Sequence, residues 1–248
     1  MSGNSSILSV DDFSVCFTQG GKNNLCVDRI TFDIKPRETV ALVGESGSGK
    51  STLALAAMGL LPRHAKLGGT ILLDDGKAPV VDLARLNPGS GAFRPIRGGR
   101  IGLVFQEPMS SLSPVHTIGF QIEEAIRLHT KLDAKAATAR AADLLRQVEI
   151  PNPGQALARY TFEFSGGQRQ RAMIAMALAC QPRLIIADEP TTALDVTVQA
   201  QILDLLKDST RETGAALVLI THDLGVVARY ADRVVVMYGG RVVEQGPA

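Results

Sequence analysis

The stretch that decides the fold runs from Gly44 to Ser51 and reads Gly44-Glu45-Ser46-Gly47-Ser48-Gly49-Lys50-Ser51. It matches the pattern G-x-x-x-x-G-K-[ST]. An apolar run, Glu38–Val43, precedes it and has the character of a buried strand, while residues 50–61 are typical of a helix that Pro62 ends. In this context the glycines let successive backbone N–H groups point at negative oxygens, and the helix N-terminus adds positive charge. The stretch therefore predicts a P-loop that cradles a polyphosphate.

Three side chains of this region have expected partners on a nucleoside triphosphate. Lys50 is expected to reach the β- and γ-phosphates, Ser51 to ligate Mg²⁺, and Thr52 to add a phosphate contact. The loop predicts a nucleoside triphosphatase and does not by itself say which one.

A second candidate element lies at the end of an apolar strand, Leu184–Ala187, which is followed by Asp188 and Glu189. Ligands of parallel α/β sheets bind at the carboxyl ends of the strands. Asp188 is therefore expected to hold Mg²⁺, and Glu189 to polarise the attacking water. Together with the P-loop, the pair predicts hydrolysis of the bound nucleotide.

Composition places the chain among ordinary globular proteins and excludes several classes. Its 248 residues are 45% hydrophobic and 21% charged, and the net charge is +1. That balance gives no broad basic surface for nucleic acid, so no nucleic-acid partner is expected. The N-terminus has no basic segment followed by a long apolar one, and no apolar run approaches the ~18 residues of a membrane span. Three widely spaced cysteines follow no metal or disulfide pattern and suggest a reducing compartment.

Hydrophobic periodicity predicts an α/β fold with a parallel sheet, an antiparallel β subdomain and an inserted α-helical subdomain. Short apolar strands alternate with helical stretches after residue 176, which is typical of a parallel sheet covered on both faces. Apolar residues at helical spacing dominate the middle of the chain. We therefore expect one domain over 1–248, with a core formed by 1–106 and 176–248 and a helical subdomain at about 107–175.

The segment Phe164-Ser165-Gly166-Gly167-Gln168 distinguishes among P-loop proteins. Ser165 is a good helix N-cap, and the glycines after it leave backbone N–H groups open to an anion. The segment resembles the signature sequence of ATP-binding cassette (ABC) ATPases, usually LSGGQ, with Phe in place of the first Leu. This resemblance implies an ABC-type P-loop fold in which Ser165, Gly166, Gly167 and Gln168 contact the γ-phosphate of ATP bound to a second ATPase subunit.

The resemblance assigns further roles along nearly the whole chain. Gln106 resembles the Q-loop glutamine, which touches Mg²⁺ and the attacking water. Ala193-Leu194-Asp195 resembles the D-loop that crosses the dimer interface, and His222 resembles the switch histidine at the γ-phosphate. Phe17 resembles the A-loop aromatic that stacks on adenine, although most relatives have Tyr there.

Two runs, Phe105–Pro114 and Leu194–Leu203, are similar to the importer subfamily for di- and oligopeptides, opines and nickel. This implies an ATP-hydrolysing motor subunit, peripheral on the cytoplasmic face of the inner membrane, with membrane permease subunits and an extracytoplasmic solute-binding protein as partners. Subfamily members usually continue beyond the point where this chain stops, at Pro247-Ala248. A truncated piece, half of a tandem protein and a short member all fit that observation.

Other functions of P-loop proteins fit parts of this sequence. A cassette of a cytosolic enzyme complex, such as one that breaks down phosphonates, carries the same P-loop, signature and switch histidine, and only Phe105–Pro114 favours a transporter over it. A nucleic-acid-associated cassette is expected to carry a coiled-coil arm or a basic stripe. A binding module without hydrolysis is disfavoured by intact Glu189 and His222. The sequence leaves open the transported solute and whether the ATPase pair is a homodimer or a heterodimer.

Overall fold

Two β-sheets of different kinds organise the chain. The computed structural model describes residues 6–19, 22–191 and 195–248. The strands are β1 (Leu8–Gln19), β2 (Lys22–Ile34), β3 (Thr39–Val43), β4 (Ala65–Leu73), β5 (Val81–Asp82), β6 (Ile101–Val104), β7 (Leu184–Asp188), β8 (Ala216–Thr221), β9 (Arg233–Tyr238) and β10 (Arg241–Pro247). The helices are α1 (Lys50–Ala57), α2 (Pro108–Ser111), α3 (Ile118–His129), α4 (Ala134–Gln147), α5 (Pro153–Ala156), α6 (Gly166–Leu178), α7 (Val196–Thr213) and α8 (Leu224–Tyr230).

The larger sheet has six strands in the order β10-β9-β3-β8-β7-β6. The five from β9 to β6 run parallel, and only β10 is antiparallel to its neighbour. The central strands β3 and β8 are buried at every residue. Wholly apolar strands need cover on both faces, which confirms the parallel sheet predicted from their composition.

A four-stranded sheet, β2-β1-β4-β5, forms the antiparallel part of the fold. Its inner face shares a hydrophobic core with α1 and one face of the parallel sheet; Phe13, Ile30 and Ile71 are among the buried side chains. The predicted antiparallel subdomain is therefore confirmed, and its core holds α1 against the large sheet.

The segment between β6 and β7 is helical, as the periodicity predicts. Helices α3 and α4 each bury one apolar stripe, for example Ile118, Ile122 and Ile126 on α3, and α6 lies beneath them. The same core continues to α7 and the second face of the parallel sheet. Within the described ranges, none of the helices is long and apolar enough to cross a membrane.

Several element boundaries differ from the sequence prediction, and two of the differences have a clear structural reason. The helix expected over 50–61 ends at Ala57, because Gly59 has a φ of 60° and the Phe93 ring lies where its Cβ would be. Strand β4 begins at Ala65 rather than Thr70, since its pairing with β1 continues as far as Phe17 and Ala65. Strand β10 was not predicted; a turn at Gly239-Gly240, with both φ values positive, folds it back on β9.

Candidate active site

Four parallel strands place the predicted site residues at one edge of the large sheet. Strand β3 runs into the P-loop, β6 is followed by Gln106, β7 ends in Asp188 and β8 is followed by His222. Because these strands are parallel, their carboxyl ends lie at the same edge. Residues from four separate parts of the sequence are thereby brought together.

The P-loop glycines have conformations that other residues rarely adopt. Gly44, Gly47 and Gly49 have φ values of 151°, 81° and 103°. A Cβ on Gly44 would lie 2.1 Å from the carbonyl oxygen of Met237, and one on Gly49 would lie 2.8 Å from that of Cys26. These two glycines are required by close packing of the backbone, whereas Gly47 has open space around it at the exposed tip.

The ammonium group of Lys50 is held within its own loop. It donates to the carbonyl oxygens of Gly44 and Glu45, each at 2.8 Å, and to Ser48 Oγ at 3.2 Å. Lys50 is 5% exposed. Burial lowers the pKa of its ammonium, and the charges of Glu189 and Asp188 oppose that shift. The loop thus points a positive charge at the position expected for phosphates.

Ser51 and Asp188 meet beside the loop. The Ser51 hydroxyl donates to Asp188 Oδ1 over 3.0 Å, which joins the first turn of α1 to the end of β7. Burial raises the pKa of the Asp188 carboxyl, and the hydrogen bond from Ser51 works against that rise. The hydroxyl and the carboxylate are oxygen donors of the kind that Mg²⁺ prefers.

Glu189 lies at the centre of a polar network. Its Oε2 accepts a hydrogen bond from Gln106 Nε2 at 3.2 Å, and its Oε1 is 3.2 Å from His222 Nδ1. Its φ is 43°, an uncommon value for a side chain other than glycine, and its backbone N–H donates to Ile220. Strain of this kind is often found at functional sites. Here the residue with this φ carries the carboxylate that contacts Gln106 and His222.

The remaining P-loop side chains lie around this network. Glu45 and Ser46 are exposed at the loop tip, Ser48 is buried behind it, and Thr52 is half-buried in the first turn of α1. Gln106 is exposed, and the His222 side chain is 69% exposed. The polar face of the site therefore opens to solvent, where a nucleotide can enter.

The signature segment forms a capped helix start, as its sequence predicts. Ser165 Oγ accepts from the Gln168 N–H at 3.3 Å, and Gln168 Oε1 accepts from the Ser165 N–H at 3.1 Å. This reciprocal pair is a capping box at the N-terminus of α6. Gly166 is exposed. Among the described residues, no hydrogen bond joins this segment to the P-loop of the same chain.

Asp195 begins the helix that follows the predicted crossing loop. Its carboxylate caps α7 by accepting from the Val198 N–H at 2.9 Å, and both Asp195 and Val196 are exposed. The other two predicted loop residues, Ala193 and Leu194, lie outside the described residues.

Phe17 lies on β1 rather than at the P-loop edge described above. It pairs with Asn24 of β2 and Ala65 of β4, and its half-buried ring is 5.8 Å from that of His64. The ring packs at the margin of the antiparallel core. Its assignment to adenine stacking stays a prediction.

One supporting residue was missed by the sequence reasoning. Asp223, next to His222, caps α8 by accepting from the N–H groups of Gly225 at 2.8 Å and Val226 at 3.3 Å. Its own N–H donates to Thr221 Oγ1. The signal in the sequence is an acidic residue directly before an apolar helical stretch, which is the pattern of an N-cap.

Fold and site together define a P-loop nucleoside triphosphatase core. Comparison with known proteins narrows that class: residues 27–192 match the model of the family described as ABC transporter. That match spans well over half of the chain, and the chain belongs to the ABC transporter family.

Curated relatives and solved structures agree with this membership. The chain is 53% identical over 242 residues to the peptidoglycan transport ATP-binding protein YejF of Agrobacterium fabrum, covering 97% of this chain and 43% of YejF. It is 49% identical over 241 residues to the dipeptide transport ATP-binding protein DppD of Bacillus subtilis, covering 97% of this chain and 70% of DppD. The dimeric ATP-binding cassette MJ0796, solved in a post-hydrolysis state with ADP and phosphate, superposes with a TM-score of 0.83 at 28% identity, covering 97% and 98% of the two chains.

Proposed function

We propose that this chain is the ATP-hydrolysing motor subunit of an ABC importer for peptides or related small solutes. The observation that carries the proposal is the meeting of Ser51, Asp188, Glu189, Gln106 and His222 at one sheet edge, beside a P-loop whose lysine is already oriented. The relatives described above are named for dipeptide and peptidoglycan transport, which supports the solute class.

Hydrolysis follows from the placement of Glu189. Its carboxylate accepts a proton from a water molecule, whose oxygen attacks the γ-phosphorus as the bond to the ADP oxygen breaks. Gln106 and His222 contact one carboxylate oxygen each and so fix the direction in which the base faces. Lys50 and the P-loop N–H groups balance the charge on the phosphates, and inorganic phosphate leaves with ADP as the other product.

The donor set also fits Mg²⁺. Ser51 and Asp188 supply two oxygens 3.0 Å apart, and Gln106, whose amide nitrogen donates to Glu189, carries a further side-chain oxygen. When bound, the ion neutralises negative charge that develops on the phosphate oxygens. Ser51, Asp188 and Gln106 are therefore the residues that we assign to it.

We assign the signature to a second ATPase subunit. Ser165 and the exposed Gly166 open the N-terminus of α6 to an anion, yet they bond to no part of their own P-loop within the described chain. Two subunits facing each other would place Ser165–Gln168 of one against ATP on the other, with Asp195 and Phe17 completing the contacts to the partner and the adenine. The γ-phosphate then holds the pair together through charge-assisted hydrogen bonds.

Coupling to transport requires partners outside this chain. The helical subdomain, about 107–175, would transmit closure of the pair to membrane permease subunits, and a solute-binding protein outside the membrane would deliver the peptide. The motor would then work at the cytoplasmic face of the inner membrane. ATP shifts the population towards the closed pair, and hydrolysis releases it.

Mass in solution tests the composite site. The Glu189→Gln variant, measured by light scattering after size exclusion, is expected to double its mass when Mg-ATP is added. Adding Lys50→Ala to that variant should abolish the change, because the nucleotide is no longer held. A persistent monomer that still binds ATP would contradict pairing of identical chains and would call for a different partner cassette.

The solute is tested separately in the assembled transporter. Reconstituted with its permease and binding protein, the chain is expected to hydrolyse ATP faster when a short peptide is supplied than when an amino acid or a sugar is supplied. Equal stimulation by all three, or by none, would contradict the peptide assignment while leaving the ATPase assignment standing.

A further inference from the structure

Helix α7 lies between the helix that begins at the signature and the helix that follows His222. It contacts α6 on one side and α8 on the other, through different side chains. Ser165 caps the start of α6, and α8 begins two residues after His222. Helix α7 therefore connects the signature segment to the His222 segment of the same chain.

The contacts with α6 are close and partly buried. A Cβ placed on Gly167 would lie 3.0 Å from Val198 Cγ1, so the first turns of α6 and α7 nearly touch. One turn further on, Arg171 Nη2 donates to Gln201 Oε1 at 3.2 Å. The same guanidinium donates to the Val148 carbonyl at 3.0 Å and to Glu149 at 2.7 Å. The close approach of Gly167 to Val198 and the bond from Arg171 to Gln201 therefore join the signature helix to the start of α7.

The contacts with α8 begin at Gln199. Its Nε2 donates to Asp223 Oδ2 at 3.4 Å, while the other oxygen of that carboxylate caps α8. Further along, the Tyr230 hydroxyl donates to Asp204 at 2.8 Å, and Arg229 pairs with the same carboxylate at 3.1 Å. Helix α7 therefore holds α8 at both ends.

His222 is fixed by its neighbours in sequence more than by burial. Its side chain is 69% exposed, and its described hydrogen-bond contact is Glu189. The direction of the ring then depends on the turn formed by Thr221 and Asp223, which the hydrogen bond between their Oγ1 and N–H closes. Gln199 holds that turn from outside through Asp223.

We propose that Gln199 is a positioning residue for His222, acting through the Asp223 carboxylate. When the signature helix moves, α7 moves with it through the contacts of Val198 and Gln201. Gln199 then passes this movement to the His222–Glu189 pair of the same chain. The inference rests on the proposed function and deepens it. In that function, the signature segment contacts the partner's ATP, and the His222–Glu189 pair acts on the chain's own ATP. Gln199 would link the two.

An exchange of hydrogen-bonding partners tests the link. Gln199→Glu places two carboxylates opposite each other and removes the donor, so kcat for ATP is expected to fall about tenfold while KM changes less than about twofold. The double variant Gln199→Glu, Asp223→Asn restores a hydrogen bond of reversed direction and keeps the cap of α8. It is expected to recover kcat.

Matched variants separate positioning from general damage. Gln201→Glu makes the same substitution on the same helix and keeps an acceptor for Arg171, so kcat should stay unchanged. Gln199→Met removes the side-chain amide without adding a charge and should also lower kcat. Normal kcat in both Gln199 variants would overturn the inference, as would failure of the double variant to recover kcat at an unchanged melting temperature. A wild-type chain without ATPase activity would instead refute the proposed function.

Discussion

The P-loop and the signature segment are both helix N-termini suited to an anion, but they differ in burial and in hydrogen bonding. Lys50 of the P-loop is 5% exposed and makes three hydrogen bonds within its own loop. In the signature, Ser165 and Gly166 are exposed, and the capping bonds serve only α6 itself. The P-loop is therefore bonded within its own chain, whereas the signature segment is exposed at the surface.

Because of this difference, the structure of one chain brings the P-loop residues together but leaves the signature segment apart from them. Side chains at the ends of three other strands, β6, β7 and β8, lie beside the P-loop that follows β3, and one sheet fixes the spacing of all four strands. Among the described residues, the signature segment makes no hydrogen bond to the P-loop, and the role that we propose for it depends on a second subunit. Changes to the first half should therefore alter chemistry or stability in each chain, and changes to the second should alter association.

The largest effect is expected at Glu189. Replacing it with Gln keeps the size and the bond to Gln106 but removes the proton acceptor, so ATP turnover should fall by roughly 10²–10⁴-fold. Affinity for ATP, measured with a fluorescent nucleotide, should change little because the P-loop is untouched. Turnover within a factor of three of wild type would remove Glu189 from its assigned role.

A buried ion pair joins the segment after β4 to the segment before β6. Arg100 donates to Asp75 Oδ1 at 2.7 Å, and the Asp75 side chain is 1% exposed. Burial raises the pKa of this carboxyl, but the bonds from Arg100 and the backbone outweigh that effect and lower it overall. Arg100→Met leaves a buried charge unpaired and should cost about 3–5 kcal/mol in the free energy of unfolding.

An exposed ion pair at β5, in the same part of the fold, is the matched control. Arg85 pairs with Asp82 at 3.1 Å, and its side chain is 79% exposed. Arg85→Met should change the free energy of unfolding by less than about 1 kcal/mol. Urea unfolding of both variants checks the contrast, and equal losses would contradict the importance of burial at Asp75.

The signature half should respond through association alone. Gly166→Asp adds a negative charge where the partner's phosphate is expected, while Asp in a first helical turn is compatible with α6. In the Glu189→Gln background at saturating Mg-ATP, the protein concentration needed for half-dimerisation should rise about a hundredfold. Gly154→Asp adds the same charge at another exposed first-turn glycine and should leave dimerisation unchanged. Weakened ATP binding by monomeric Gly166→Asp would contradict the division of the site.

The same contrast marks how far the sequence could predict the molecule. The P-loop, Asp188 and Glu189 were predictable because each is a local pattern at a strand end, and parallel strands bring such ends together. The contacts Gly167–Val198, Arg171–Gln201 and Gln199–Asp223 were not, since each depends on how two helices pack. The early end of α1 likewise depends on the Phe93 ring, which no local pattern contains.

A smaller effect is expected at Phe17, the predicted adenine contact. Phe17→Ala removes one aromatic face, and affinity for ATP should fall by about threefold to tenfold. Phe17→Tyr should keep the affinity, because the stacking face is retained. Leu25→Ala, at an exposed apolar residue of the neighbouring strand, is the control. Unchanged affinity in Phe17→Ala would show that the ring serves only the antiparallel core.

The smallest effect is a pH dependence of stability at the contact between the helical subdomain and the segment before β6. His129 ends α3 and packs on Gly98 and Gly99. Burial and the nearby charge of Arg94 lower the pKa of its imidazole below 6.5, although a hydrogen bond involving the Arg97 backbone opposes the shift. The unfolded chain therefore binds the proton more readily, so this contribution to stability is complete above pH 6.5 and is lost as pH falls through the folded pKa. The urea midpoint of the wild-type chain should drop between pH 7 and pH 5.5. His64 is exposed, so His64→Asn should show the same drop, whereas His129→Asn should show a smaller one. An equal drop in both variants would assign the pH dependence to other groups.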